Sequence, residues 1–328
     1  MTRLSAEQLE HFHREGYVVV EDLLDPEEVL DPLEAEFGTI LDSLATELYD
    51  DSAITSTYED MPFGDRLTRI YQESGKVHSQ YFDFSLPQKN VTYDTPMSHG
   101  PAVFNALTSP VLLDAVESIM GPEIYSNPTQ HVRIKPPEAL TPTNPDTGQL
   151  QLGATPWHQD NGVVTEEADD TDILTVWFPV WDADEDSGCL HLVPRSHREG
   201  LNQHCPGGTA TLAAGIHIPD HLFRKGDAIT VPLRRGSALF MHRLTCHGSL
   251  PNNSDRIRWS LDLRYNPAGQ PTGREAFPGF VARSEAQPET ELNDAEAWAQ
   301  LWRDTREQLA RENDRSYNRW SSDDPACA

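Results

Sequence analysis

Positive charge is scarce in this sequence. Among 328 residues, 25 lysines and arginines stand against 53 aspartates and glutamates, which gives a formal net charge of −28. The few lysines are Lys76, Lys89, Lys135 and Lys225. A polyanion repels nucleic acids and anionic membrane surfaces, so we expect neither as a partner. The composition predicts a strongly acidic surface.

Cysteine is also scarce. Its copies, Cys189, Cys205, Cys246 and Cys327, form no Cys-x-x-Cys pair. This spacing argues against a zinc knuckle and against a dithiol redox motif. Because cytosolic chains keep their thiols reduced, we expect four free thiols.

Long apolar runs are missing as well. No run predicts a membrane-spanning helix, and the segment from Met1 to Glu7 lacks the apolar core of a signal peptide. Apolar residues make up 37% and charged residues 24%, as in an ordinary globular protein. We therefore expect a cytoplasmic protein that contacts no membrane. No linker or repeat divides the sequence, which favours one domain over residues 1–328. The sequence does not indicate an oligomeric state.

Helical signals dominate residues 1–124. Ser5 and Gln8 are spaced as a capping box, and Gly16 is placed to end that first helix. Asp25 and Pro26 predict the start of a second helix. A further amphipathic helix is predicted over 293–311, with four residues facing inward: Trp298, Leu301, Trp302 and Leu309.

Short strand-like runs occupy residues from about 125 to 268. The last run, Ile257 to Tyr265, alternates apolar residues with Arg258, Ser260, Asp262 and Arg264. Many short strands separated by glycine and proline turns are typical of a β barrel or jelly roll. We therefore predict a mainly β protein with flanking α-helices.

A metal site is suggested by His158 and Asp160, which share one face of an extended segment. His247, on a later strand, can return beside them. Two histidines and one carboxylate form the facial triad of non-haem Fe(II) oxygenases. On the last strand, Arg258 needs an anion if it is buried, because an unpaired buried guanidinium is costly. A dicarboxylate co-substrate supplies that anion, with Ser260 on the same face and Trp177 beside it.

These residues resemble the phytanoyl-CoA dioxygenase family of Fe(II)/2-oxoglutarate oxygenases. The motifs that carry the resemblance are Leu9–Val19, Lys135-Pro136-Pro137, Trp157-His158-Gln159-Asp160, Ser187-Gly188-Cys189-Leu190, Val193-Pro194-Arg195-Ser196-His197, and His247-Gly248-Ser249 followed by Arg258. One departure is Arg195, where the family usually has glycine.

The resemblance implies a double-stranded β-helix of the jelly-roll, cupin-like type. It implies His158, Asp160 and His247 as iron ligands and Arg258 as the anchor of the distal 2-oxoglutarate carboxylate. Further co-substrate contacts are implied at Ser260, Gln159, Trp177 and His131. The cofactors would be Fe(II), 2-oxoglutarate and O2. The implied reaction is hydroxylation of a small organic substrate, with release of succinate and CO2.

Several alternatives stay open at this point. His242 is the rival ligand to His247, Asp262 is a rival partner for Arg258, and Arg264 has the alternative of being an ordinary surface charge. A zinc hydrolase with the same ligands and a non-catalytic barrel are rival functions. A radical halogenase is disfavoured by Asp160, because halide needs the coordination position of that carboxylate.

Overall fold

The computed structural model describes residues 3–207, 215–312 and 319–327 of the chain. Helices precede and follow a β-rich centre, as the sequence predicts. The α-helices in these ranges are α1 (Ala6–Glu15), α2 (Asp31–Asp50), α3 (Phe63–Ser74), α4 (Pro101–Leu107), α5 (Pro110–Met120) and α6 (Ala295–Glu312). The predicted capping box is present, since the Ser5 hydroxyl accepts from the Gln8 amide and the Gln8 side chain accepts from the Ser5 amide.

The strands form antiparallel sheets. They are β1 (Tyr17–Val20), β2 (Ile124–Ser126), β3 (His131–Lys135), β4 (Leu174–Pro179), β5 (Leu190–Leu192), β6 (Cys205–Pro206), β7 (Ile216–His217), β8 (Ile229–Val231), β9 (Ala238–His242), β10 (His247–Ser249), β11 (Arg258–Pro267) and β12 (Phe280–Arg283). The larger sheet runs β1-β9-β4-β11-β2-β12, with β3 also pairing with β11. The smaller sheet runs β10-β5-β8, and β6 pairs with β7.

The larger sheet separates two apolar layers. One face packs against the helices through residues such as Phe240, Trp259 and Leu261. The other face meets the smaller sheet through Trp177, Leu192, Val231 and Leu239. Two facing antiparallel sheets with flanking helices form the predicted jelly roll. The alternation predicted for Ile257–Tyr265 is confirmed, because Trp259 and Leu261 point to the helices while Arg258 and Ser260 point between the sheets.

The start predicted for the second helix is confirmed, because Asp25 caps a π-helical turn at Pro26–Leu30 that leads into α2. One predicted boundary is wrong, since the β-rich part extends past 268, where β12 pairs with β2. On α6, Trp298, Trp302 and Leu309 are buried, but Leu301 is 39% exposed because it faces away from the packed side.

One stretch, Pro101–Met120, is long and apolar enough to cross a membrane by length and composition alone, contrary to expectation. It folds as α4 and α5, which begin separately at prolines. Residues of both helices, including Val103, Leu107 and Val116, belong to the core cluster. In this fold the stretch therefore packs as two separate helices that contribute to the hydrophobic core.

The expectation of four free thiols is wrong. Cys205 on β6 is bonded to Cys327, 122 residues later, while Cys189 and Cys246 are free and buried. The bond attaches the segment 319–327 to β6. In this segment the Trp320 indole donates to the Gly162 carbonyl at 2.6 Å and stacks on His204, with ring centroids 5.1 Å apart.

Candidate metal site

His158 and His247 are brought together by backbone pairing. The His158 amide donates to the His247 carbonyl at 2.8 Å, and the His247 amide donates back at 2.9 Å. This bridge continues the smaller sheet beyond β10. After His158, the chain stays extended at Gln159 and then turns at Asp160, which begins a short 3-10 helix that runs to Val163. The carboxylate of Asp160 therefore lies beside both imidazoles.

These three side chains form a group that can hold a metal ion. Their ligand atoms all lie within 4.8 Å of one another. The Nε2 atoms of His158 and His247 are each 3.9 Å from Oδ1 of Asp160. Asp160 and His247 are buried, and the side chain of His158 is 13% exposed.

The two histidines are oriented to bind a divalent cation through Nε2. Nδ1 of His158 lies 2.9 Å from the Pro156 carbonyl, and Nδ1 of His247 lies 2.9 Å from the Thr245 carbonyl. A carbonyl only accepts, so each Nδ1 carries a hydrogen and Nε2 is the ring atom that offers its lone pair to a metal. Burial, and then the neighbouring His247, lower the pKa of His158 to about 3. The donor set of two imidazoles and one carboxylate matches that of Fe(II) sites.

Asp160 is held by two donors from the surrounding strands. Arg264 on β11 donates to Oδ1, and the hydroxyl of Thr175 on β4 donates to Oδ2. Burial alone would raise the pKa of Asp160, but the charges of Arg264 and the two histidines hold it well below its ordinary value. Arg264 also donates to the Thr129 carbonyl at 2.5 Å and is 2% exposed. The interpretation of Arg264 as a surface charge was therefore wrong.

Arg258 lies at the other end of β11 and has no carboxylate partner among the residues that the structure describes. Its guanidinium donates to Ser260 and lies 5.8 Å from the ring of Trp177, while its Nε has no acceptor. Arg258 is 1% exposed. Burial, and then the charge of Arg133, lower its pKa to about 10. Asp262, the rival partner, lies instead near Arg133, with Nε and Oδ2 at 3.6 Å.

Lys135 is a site residue that the sequence reading missed. It lies opposite Arg258 in the pairing of β3 with β11 and is 3% exposed. Its ammonium donates to Thr155 at 2.7 Å and to Ser249 at 3.0 Å. Burial, then the charges of Arg258 and Arg133, lower its pKa well below the ordinary value. The sequence does contain a pattern that indicates this position. His131, Arg133 and Lys135 alternate with Val132 and Ile134, which predicts that the basic residues share one face of a strand.

Two residues expected to contact the co-substrate have other partners. The Gln159 amide donates to the carbonyls of Gly200 and Leu244 and accepts from the Asn202 amide, so its polar atoms are already used by backbone groups. His131 lies on the same face as Arg258 but bonds Asp83, with Nδ1 and Oδ2 at 2.8 Å. The structure thus brings Trp177 and Ser260 to Arg258, but not Gln159.

The rival histidine lies elsewhere. His242, at the end of β9, packs beside Phe12 and His197 and accepts from the Leu244 amide. His191 stacks on Trp157 at 3.8 Å. Neither belongs to the group of potential metal ligands found among the described residues.

Arg195 shows why glycine suits its position. Its φ is +68° and its ψ is 0°, the left-handed conformation that side chains other than glycine rarely adopt. Its side chain compensates by pairing with Glu15, with Nε and Oε2 at 2.8 Å. The departure therefore links the turn to α1 and leaves the metal ligands in place.

Comparison of the sequence with known families and proteins gives a consistent result. The model of the phytanoyl-CoA dioxygenase family matches residues 12–260. The chain is similar to the peroxisomal phytanoyl-CoA dioxygenase of Bos taurus, with 23% identity over 273 residues, 81% of this chain and 69% of that protein. It is also similar to phytanoyl-CoA dioxygenase domain-containing protein 1 of Danio rerio, with 24% identity over 293 residues, 79% of this chain and 88% of that protein.

Solved structures share the fold. The non-haem monooxygenase ThoJ in its apo form superposes with a TM-score of 0.57 and 18% identity, covering 94% of this chain and 100% of that one. EvdO2 of Micromonospora carbonacea var. aurantiaca, complexed with 2-oxoglutarate, has a TM-score of 0.50 and 20% identity, covering 81% and 91%. These likenesses agree with the jelly-roll architecture of the chain.

Proposed function

This chain belongs to the phytanoyl-CoA dioxygenase family, and from that membership we propose that it hydroxylates a small organic substrate with release of succinate and CO2. It is a 2-oxoglutarate-dependent oxygenase whose cofactors are Fe(II), 2-oxoglutarate and O2. The observation that carries the proposal is the combination of a triad that can hold a metal with a buried arginine that lacks an anion.

In this proposal His158, Asp160 and His247 hold the iron through two Nε2 atoms and one carboxylate oxygen. When bound, iron with 2-oxoglutarate and O2 supplies the oxidising power for hydroxylation. The chain contributes orientation, because the Pro156 and Thr245 carbonyls fix the imidazoles while Thr175 and Arg264 fix the carboxylate.

Arg258 anchors the distal carboxylate of 2-oxoglutarate in the same proposal. A planar guanidinium binds a carboxylate through two parallel hydrogen bonds. Ser260 orients the guanidinium and Trp177 covers it. Lys135 lies opposite Arg258 in register, and its hydrogen-bond partners among the described residues are both hydroxyls, so it adds a second donor to the same anion. The buried positive charge on this side is then neutralised by the co-substrate.

The main rival is a zinc hydrolase that uses the same three ligands. Such an enzyme has no need for a buried arginine without a partner, so Arg258 favours the oxygenase. A radical halogenase is disfavoured by Asp160, which occupies the position that halide would need. In a non-catalytic barrel no bound anion would offset the free-energy cost of burying the Arg258 guanidinium.

The substrate class is narrowed only by analogy. The relatives include the 1-deoxypentalenic acid 11-beta-hydroxylase of Streptomyces arenae, 26% identical over 176 residues, 51% of this chain and 58% of that protein. A free small acid of that kind suits this chain better than a coenzyme A thioester, because the net charge of −28 repels a large polyanion. The cytoplasmic location, the single domain and the lack of nucleic-acid and membrane partners stay predictions.

An anaerobic titration with Fe(II) and then 2-oxoglutarate tests the function. We expect a weak visible charge-transfer band at about 500 nm, which is a property of the cofactor pair itself. Tight zinc binding without this band would favour the hydrolase. Succinate release, screened across acids, amines and neutral frameworks in the presence of O2, then identifies the substrate.

A further inference from the structure

Arg133 is a second arginine on the inner face of the larger sheet, and its side chain makes no hydrogen bond to any residue that the structure describes. It lies on β3 opposite Ser260, two residues before Lys135. Its side chain is 25% exposed, so it is mostly enclosed. Its contact with Asp262 measures 3.6 Å from Nε to Oδ2, which is too long for a hydrogen bond. Among the described residues, no other group accepts a hydrogen bond from this guanidinium.

Asp262 connects Arg133 to the metal site. It lies on β11 between Arg258 and Arg264, opposite Trp177 of β4. Its side chain is 15% exposed and makes no hydrogen bond within the described part of the chain. Arg133 therefore stands beside the space between the proposed co-substrate anchor and the three ligands. A molecule that reacts at the metal has to occupy this space.

The neighbours of Arg133 favour an anion over a cation. Lys135 and Arg258 are cations whose pKa values are lowered in part by the charge of Arg133, which shows that the three charges act on one another. Asp262 offsets one of them, and the distal carboxylate of 2-oxoglutarate is already assigned to Arg258. Within the described residues Arg133 thus has one counter-charge, Asp262 at 3.6 Å, and no hydrogen-bond acceptor for its donors.

We propose that Arg133 binds an anionic oxygen group, a carboxylate in the first place, on the substrate that is hydroxylated. This inference rests on the proposed function and adds the chemical class of the substrate. The fork of the guanidinium matches the two oxygens of a carboxylate. Asp262, at 3.6 Å, keeps the fork oriented without using its donors.

The test uses the protein loaded anaerobically with Fe(II) and 2-oxoglutarate, and matched probes that differ in charge. The probes are octanoate and octanamide, phenylacetate and phenylacetamide, and cyclohexanecarboxylate and its amide, with octylamine as a cationic probe. Calorimetry measures their binding, and the charge-transfer band reports whether they approach the metal. We expect at least one acid to bind roughly 10- to 100-fold tighter than its amide, the effect of hydrogen bonds to a charged group.

Arg133→Gln should remove this preference for the acid, Arg133→Lys should keep part of it, and Asp262→Asn should keep most of it. The matched control is Arg234→Gln, because Arg234 is 66% exposed and only 3.7 Å from Asp22. Each variant is first titrated with 2-oxoglutarate alone, and its affinity should match wild type. This step also confirms that the variant is folded.

Three results would overturn the inference. They are the absence of acid binding at millimolar concentration, preference for an amide or for octylamine, and a weakened 2-oxoglutarate affinity in Arg133→Gln like that expected for Arg258→Gln. The last result would assign Arg133 to the co-substrate. If wild type bound neither Fe(II) nor 2-oxoglutarate, the proposed function itself would fail. That result is obtained before any probe is added, so it is distinct from a failure of the inference about Arg133.

Discussion

The two ends of the inner face of β11 carry the same side chain in opposite surroundings. At one end, Arg264 has Asp160 as a counter-ion and the Thr129 carbonyl as a second acceptor. At the other end, Arg258 has a serine hydroxyl and the face of Trp177 but no carboxylate partner within the described part of the chain. Both guanidiniums are buried, and the Nε of each lacks an acceptor, so the carboxylate is the difference between them. The difference teaches that burial alone does not identify a binding residue, whereas a buried guanidinium without an anionic partner points to a missing ligand.

The comparison also separates positioning from binding. Arg264 needs no external anion, because its charge is already paired with that of Asp160, a proposed metal ligand. Arg258 and Lys135 together place two buried basic groups opposite each other, and the hydrogen-bond acceptors of both within the described residues are hydroxyls. An arrangement of this kind is costly until an anion enters. The following experiments test this difference, beginning with the largest effect.

Removing a ligand should have the largest effect. His158→Ala, Asp160→Ala and His247→Ala should each reduce succinate formation to background while the fold persists, because the ion loses one of its three protein ligands. The iron content of each variant checks the loss of the metal, and the thermal unfolding midpoint checks that the fold persists. Near-normal iron content and rate in His247→Ala would break the assignment and bring His242 back as the candidate.

The second prediction concerns the end of β11 that lacks a partner. Arg258→Gln should raise the 2-oxoglutarate concentration needed for half-maximal succinate formation by roughly 30- to several-thousand-fold, since losing one partner of a buried charge pair costs about 2–5 kcal/mol. Iron binding should change little. Arg258→Lys should restore part of the affinity, because an ammonium keeps the charge without the planar fork. An unchanged requirement in Arg258→Gln would refute the anchor.

The same substitution at both ends gives the sharpest contrast. In protein free of iron and 2-oxoglutarate, Arg264→Met should lower the free energy of unfolding by about 3–5 kcal/mol, because Asp160 is left as a buried charge without its counter-ion. Fe(II) should recover part of the loss by replacing that counter-charge. Arg258→Met should instead raise stability by about 1–3 kcal/mol, because the substitution removes a buried cation that has no carboxylate partner among the described residues.

Denaturant unfolding of the two variants beside wild type measures these changes. The control is Arg234→Met, since Arg234 is exposed and should change stability little. Equal losses at Arg258 and Arg264 would show that the two ends are alike, and the comparison would fail.

The smallest expected effect is at Lys135. Lys135→Met should raise the 2-oxoglutarate requirement roughly tenfold, less than Arg258→Gln, because its depressed pKa weakens its charge and its hydroxyl partners already accept its hydrogen bonds. Titrations of both variants on the same day give the ratio. An effect larger than that of Arg258→Gln would make Lys135 the principal anchor.

The sequence was sufficient for the features that depend on local pattern. The alternation in Ile257–Tyr265 placed Arg258 and Ser260 on one face, and the capping box placed the start of α1. The proposed ligand His247 was predicted through the motif His247-Gly248-Ser249 rather than through spacing alone. The jelly roll followed from many short strands and was supported by the resemblance to the family.

The features that were missed depend on which strand lies beside which. Lys135 faces Arg258 because β3 pairs with β11, and Arg264 lies opposite Thr175, the second donor to Asp160, because β11 also pairs with β4. Neither pairing can be read from a local pattern. The co-substrate contact at Gln159 stays a prediction. Its amide donates to carbonyls 41 and 85 residues away, and these partners cannot be read from a local pattern either. The bond between Cys205 and Cys327 likewise spans a distance over which spacing carries no information.

That bond gives the fold a dependence on its chemical surroundings. His204, next to Cys205, accepts a hydrogen bond at 3.0 Å from the amide of Gln159, the residue between the proposed ligands His158 and Asp160. The same imidazole stacks on Trp320 of the segment that Cys327 tethers. A thiol reductant would free this segment from Cys205 and leave noncovalent contacts, the ring stacking among them, to hold it. The redox state of the solution therefore affects a segment that contacts His204, and His204 in turn is bonded to the backbone between two of the three proposed ligands.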